Sequence, residues 1–119
     1  MKSLSLRKNA DNGGWIGVDL DCTLAYYESG YCRQGKVGDP IPKMMERVKK
    51  WIKEGKTVKI FTARAASSKN VEPVKKWLKK HGLENLEITN KKDPDMIELW
   101  DDKVVQIIPN TGERVDGRG

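Results

Sequence analysis

The sequence predicts an α/β domain built on a central, mainly parallel sheet. Short apolar runs alternate with stretches whose apolar residues recur at helical spacing, the pattern of strand–helix–strand units. The runs are followed closely by polar groups able to do chemistry, and in an open α/β sheet the carboxyl ends of the strands are where ligands bind. At 119 residues there is room for one hydrophobic core and no internal repeat is present.

The elements follow in order. Met1 to Gly14 is a polar lead-in ending in the turn-like Asp11-Asn12-Gly13-Gly14. Trp15 to Leu20 is the first strand, and its apolar run stops at Asp19 because aspartate is a poor strand former. Ala25 to Pro42 holds Gly30, Gly35, Gly38, Pro40 and Tyr26, Tyr27 and Tyr31 without a sustained period, which reads as a long loop or hairpin flap. Pro42 suits a first helical turn; Met44, Met45, Val48, Trp51 and Ile52 then mark an apolar face, and Gly55 ends the helix. Thr57 to Phe61 is the second strand. After a loop of small residues, Val71, Val74, Trp77 and Leu78 mark a second helix closing at His81-Gly82. Leu86 to Thr89 is a third strand. A turn at Asp93-Pro94-Asp95 leads through Met96 to Trp100 to Asp101-Asp102, and Val104 to Ile108 reads as a further strand. Pro109 to Gly119 is polar and expected to fray.

Composition narrows the function classes. No apolar run approaches the ~20 residues of a membrane span, and the N-terminus lacks a signal-peptide core, so a cytoplasmic protein is expected. That setting favours free thiols at Cys22 and Cys32. One histidine and two cysteines are too few for a structural zinc site. The net charge of +6 favours anionic partners. The lysines at 49, 50 and 53 and at 75, 76, 79 and 80 read as solvated helix faces, and no aromatics alternate with them, which leaves nucleic-acid binding open.

The candidate site is drawn from four strand ends. Asp19 and Asp21, one residue apart, repel each other unless a cation or a shared proton offsets the charge. Mg²⁺ suits such a pair, since it takes one or two carboxylates plus water and phosphate oxygens. Thr62, Lys91 or Lys92, and Asp101 with Asp102 complete the set. Carboxylates can hold the metal, while a hydroxyl and an ammonium can hold phosphoryl oxygens.

The order Asp19-Leu20-Asp21-Cys22-Thr23, then Thr62, then Lys92, then Asp101-Asp102 resembles the haloacid dehalogenase (HAD) superfamily of phosphatases. The likeness spans Trp15 to Ile108, and the run from Lys92 to Asp102 is similar to that family's third and fourth motifs in tandem. Small members encoded by bacteria and their phages are the nearest likeness. It implies a three-layer Rossmann-like fold with helices on both faces of the sheet, as one catalytic domain over 15–108. It also implies a Mg²⁺-dependent phosphomonoester hydrolase. Asp19 would be the nucleophile and Asp21 the general acid and base. Asp19, the backbone carbonyl of Asp21, and Asp101 would ligate Mg²⁺, with Asp102 in or just outside that shell. Thr62 and Lys92 would grip the phosphoryl group, with Lys91 the fallback, and Thr23 would fix the turn after the nucleophile.

Other residues have plainer readings. The family often has glycine where this chain has Cys22, a position where glycine eases an unusual turn. Neighbouring carboxylates speak against a redox role for that thiol. Arg64 is placed either at the phosphate or in a surface salt bridge, and Trp100 either in the core or on a site wall. Trp51 and Trp77 read as core, and His81 as a helix cap. The intervals from Thr23 to Thr62 and from Thr62 to Lys92 are too short for a separate cap domain, so the Ala25 to Pro42 loop is expected to cover part of the site. The substrate stays open among phosphorylated metabolites, nucleotides and nucleic-acid ends, as does homo-oligomer formation. The rival readings are a phosphate-binding or receiver-like protein and a nucleic-acid-binding module with a vestigial site.

Overall fold

The computed structural model describes residues 13–28 and 35–118. Its elements are β1 (Trp15–Val18), α1 (Pro42–Lys53), β2 (Thr57–Phe61), a 3₁₀ turn (Ala63–Ala66), α2 (Ser68–Lys80), β3 (Glu87–Thr89) and β4 (Met96–Trp100). The strands form one sheet in the order β3-β2-β1-β4, and every pairing is parallel. The α/β reading therefore holds. Residues 1–12, Gly30, Tyr31, Cys32 and the rest of 29–34 lie outside the described residues, and with them most of the polar lead-in and the middle of the flap.

Alternation along the strands sorts the sheet into two faces. Ile16, Val18, Val58 and Ile60 join Met44 and Val48 of α1 and Val74, Trp77 and Leu78 of α2 in one buried cluster. Both helices thus cover the same face, where three layers with helices on both faces were expected. The reason is topological: β1, β2 and β3 succeed one another in a single direction, and right-handed crossovers then put both helices on one side.

The opposite face is crossed by residues 90–95, which return the chain from the top of β3 to the bottom of β4. That link must bridge three strand spacings and four residues of rise, about 19 Å, and its seven Cα steps reach about 23–25 Å when extended. It has no length to spare for a helix. Trp15 lies beneath it on this face, 2% exposed. Its indole Nε1 donates to Asp93 Oδ1 at 2.8 Å, its backbone N–H donates to the Asp95 carbonyl at 3.0 Å, and Lys59 Nζ sits 4.5 Å from its ring centre. The ring folds over Gly17, where an added Cβ would come within 3.1–3.2 Å of Trp15, Leu99 and Met96.

Helix ends follow local chemistry. Pro42 opens α1, and Ser67 caps α2 by accepting the Asn70 N–H at 3.2 Å, which starts that helix earlier than its apolar face suggests. Gly55 and Gly82 follow the two helices with φ of +82° and +74°, a backbone region costly for residues with a Cβ. Trp51 packs on Trp100 with ring centres 5.1 Å apart, so Trp100 belongs to the rim of the core. No helix among the described residues is long and apolar enough to cross a membrane.

Two expectations at the C-terminus are corrected. The fourth strand is Met96–Trp100, whereas Val104 to Ile108 pairs with no sheet strand, and Val104 and Val105 are each 53% exposed. Only one strand can lie beside β1 on that side, and the run that ends in the aspartate pair takes it. The Lys103 N–H then donates to Asp101 Oδ1 at 2.9 Å and turns the chain away. The tail folds back rather than fraying: Val115 N–H donates to the Gln106 carbonyl and Ile108 N–H to the Glu113 carbonyl, and Arg114 pairs with Asp116 at 2.8 Å.

The flap is stapled at its base. Tyr26 N–H donates to the Asp39 carbonyl, Ile41 N–H to the Leu24 carbonyl, and Trp77 Nε1 to the Gly38 carbonyl at 2.7 Å. A Cβ on Gly38 would collide with the Tyr26 backbone carbonyl. Gly38→Ala is therefore expected to destabilise the fold by about 1–3 kcal/mol in urea unfolding. A change under about 0.5 kcal/mol would show that the staple yields.

Candidate functional site

Parallel pairing brings the ends of β1, β2 and β4 to one edge of the sheet. Val18 pairs with both Ile60 and Trp100, so Asp19, Thr62 and Asp101 each follow within two residues of a common register line. The Asp19 N–H donates to the Trp100 carbonyl at 2.8 Å, which locks the two acidic ends together. Asp19, Asp101 and Asp102 each present a carboxylate oxygen, and these oxygens all lie within 4.8 Å of one another. Asp19 and Asp101 are half-buried and Asp102 is exposed.

Such crowding of like charge has a measurable cost. Burial, the Asp101 charge and a hydrogen bond with Asp102 push the Asp19 carboxyl up to about 7, against about 3.9 for an ordinary aspartate. Thr23 opposes this, its Oγ1 donating to Asp19 Oδ2 at 3.3 Å. The hydroxyl thus acts on the carboxylate itself. No lysine or arginine forms an ion pair with these three carboxylates among the described residues. Hard oxygen donors with unbalanced charge suit a divalent cation of the Mg²⁺ or Ca²⁺ type.

Asp21 lies apart from the trio. Arg64 Nε donates to its Oδ2 at 2.9 Å and Arg64 Nη2 to its Oδ1 at 3.0 Å, a two-pronged pair. The same guanidinium donates from Nη1 to the Gly35 carbonyl at 2.7 Å and from Nη2 to the Lys36 carbonyl at 2.9 Å. Arg64 thus forms a part-buried salt bridge with Asp21, itself a candidate site residue. Arg64 takes one acceptor position on each Asp21 oxygen and leaves a second on each for a proton or a further donor.

Thr62 is the buried polar residue of the site, 3% exposed. It caps the 3₁₀ turn, its Oγ1 accepting the Arg64 N–H at 3.2 Å while its own N–H donates to the Thr89 carbonyl at 2.9 Å. Accepting that bond leaves the hydroxyl proton available to a ligand. Lys91 and Lys92 are exposed at the start of the strap between β3 and β4. Neither forms an ion pair among the described residues.

Cys22 has φ of +73°, the left-handed region where glycine is at ease. The local demand for a glycine-like turn is therefore real, and this chain meets it with a strained cysteine. Partial desolvation and the charges of Asp102, Asp21 and Asp19 push the exposed thiol up, which disfavours the reactive thiolate. Reading the sequence missed the Gly35 and Lys36 carbonyls that anchor Arg64. Backbone acceptors in an aperiodic loop leave no signal in residue type.

Compared with family models, curated proteins and solved structures, the chain matches none of them.

Two outcomes test this geometry. Since the folded Asp19 holds its proton to about pH 7 and an unfolded aspartate only to about 3.9, Asp19 costs the metal-free fold more stability as pH rises through that window. The advantage of Asp19→Asn in thermal unfolding should widen from about pH 5 to pH 8, and excess Mg²⁺ should stabilise the wild type alone. A constant difference across that range contradicts the crowding. Separately, Cys22→Gly should raise stability by about 0.5–1 kcal/mol by relieving the left-handed backbone.

Proposed function

We propose that this protein is a Mg²⁺-dependent phosphomonoester hydrolase of the HAD type, working through an aspartyl-phosphate on Asp19. The observation that carries the reading is the convergence of Asp19, Asp101 and Asp102 within 4.8 Å at the sheet edge where Asp21 and Thr62 also stand. In this reading the Asp19, Asp101 and Asp102 carboxylates and the backbone carbonyl of Asp21 hold Mg²⁺. When bound, the metal neutralises their charge and that of the phosphate oxygens.

The chain's own groups then divide the work. With its charge offset, the Asp19 carboxylate is the nucleophile: an oxygen bonds to phosphorus while the bond from phosphorus to the leaving alcohol oxygen breaks. Asp21, once protonated, gives its proton to that oxygen. It later takes a proton from water as the water attacks phosphorus, which frees Asp19 and yields inorganic phosphate. The Thr62 hydroxyl and Lys92 hold the phosphoryl oxygens. Thr23 keeps the Asp19 carboxylate oriented, and the loop from Ala25 to Pro42 excludes water.

One observation favours a second reading, a receiver-like protein that accepts phosphate and releases it slowly. Arg64 occupies both oxygens of Asp21, the group that must activate water. Acetyl phosphate with Mg²⁺ separates the two: a receiver accumulates phosphate on Asp19, whereas a hydrolase turns it over.

With p-nitrophenyl phosphate, turnover should require Mg²⁺ and be lost in Asp19→Asn. Asp21→Asn should lower kcat by about 10²–10⁴ while leaving Mg²⁺ affinity nearly unchanged. Equal rates in wild type and Asp19→Asn remove the hydrolase reading.

A further inference from the structure

Beyond the acidic edge, the described structure has a second concave feature, a cleft of about 250 Å³ between α2 and the returning limb of the flap. Lys76, Trp77, Lys80 and His81 line it from α2 and its cap, and Lys36 and Asp39 from the flap. Lys76 and Lys80 stand one helical turn apart on the same face and are exposed. Neither forms an ion pair among the described residues. Asp39 is the one carboxylate in the lining, so the cleft carries a net positive charge.

The cleft is built, not merely a sum of mobile side chains. Its floor is the buried Trp77, whose Nε1 holds the Gly38 carbonyl at 2.7 Å, and the His81 ring packs on Trp77 with centres 4.6 Å apart. Its flap wall is continuous with the acidic edge, because the Lys36 carbonyl accepts the Arg64 Nη2–H that also holds Asp21. The cleft and Asp21 are thus linked through Lys36 and Arg64.

We infer that this cleft binds the phosphodiester backbone of a single-stranded nucleic acid whose terminal phosphate is presented at Asp19. The position of that terminal phosphate rests on the hydrolase reading above. Regularly spaced monoanions match two lysines a helical turn apart, and a narrow basic groove tracking one backbone is how single strands are held without sequence readout.

The neighbouring face of α2, about 100° round the helix, supplies a control, with the difference that Lys75 pairs with Glu72 at 3.5 Å. Lys75 and Lys79 have the same spacing on the same helix but line a different cavity, with Leu78, Glu84 and Leu86. A fluorescent oligonucleotide of about eight nucleotides, carrying a 5′- or a 3′-phosphate, is titrated with wild type, Lys76→Glu/Lys80→Glu and Lys75→Glu/Lys79→Glu at about 50 to 200 mM salt. The first pair should weaken binding at least about tenfold and flatten the slope of log K against log[salt] by about 1.4, near 0.7 for each phosphate that is no longer neutralised. The second pair, with the same charge change, should move both quantities far less. Equal losses from the two pairs, no loss from the first, or equally potent competition by polyglutamate overturns the assignment. Phosphate release from the same oligonucleotide separates the readings. Binding that depends on Lys76 and Lys80 without Mg²⁺-dependent release ends the hydrolase reading and leaves the cleft. Release that is indifferent to these lysines leaves the hydrolase and ends the cleft.

Discussion

Three carboxylates held within 4.8 Å of one another are the constraint on which the rest of this structure depends. Left to themselves, Asp19 and the Asp101-Asp102 pair would separate, since like charges in a half-buried setting repel strongly. They are kept together by the β1–β4 pairing, which ends in the 2.8 Å bond from the Asp19 N–H to the Trp100 carbonyl. That pairing is secured from both faces. Trp100 packs on Trp51 of α1 on one side, and on the other Trp15 lies over Gly17 against Leu99 and Met96. The buried apolar sheet thus supplies the free energy that the acidic edge consumes, and the high proton affinity of Asp19 is the visible remainder of that conflict.

The two aspartates of the first strand's end, one residue apart, meet opposite environments. Among the described residues, Asp19 faces other carboxylates and forms no ion pair with a basic side chain, whereas Asp21 is gripped by Arg64. Splitting two neighbouring carboxylates in this way is how one site assigns them separate tasks. Arg64 is the junction: it joins Asp21 to the Gly35 and Lys36 carbonyls, and its own N–H is taken by Thr62 at the end of β2. The flap is thus joined to Asp21 through Arg64, and Lys36, one of its carbonyl anchors, also lines the basic cleft.

Much of this was legible in the sequence. The parallel α/β order, both helices, and the approach of Asp19 to Asp101 and Asp102 follow from apolar runs that stop at acidic residues. The glycine often found at Cys22 in the resembling family hinted at an unusual turn, but cysteine reads as tolerated there, and the left-handed backbone emerged only in the structure. What was not legible depended on geometry between distant segments. The Arg64 clamp uses backbone carbonyls, which residue types do not reveal. The single helical layer follows from the common direction of two successive crossovers and a link of only six residues between β3 and β4, a topological fact rather than a compositional one. Val104 to Ile108 looked like a strand because its residues favour one, but a sheet edge can be filled only once, and Met96–Trp100 fills it.

Paramagnetic broadening by Mn²⁺, standing in for Mg²⁺ on ¹⁵N-labelled protein, reads the convergence of the acidic groups most directly. Amides of residues 19–23 and 101–103 should broaden together at the same low metal fraction, and both sets should sharpen again in Asp101→Asn. Broadening of one segment without the other, or at clearly different metal concentrations, contradicts a single shared cation site.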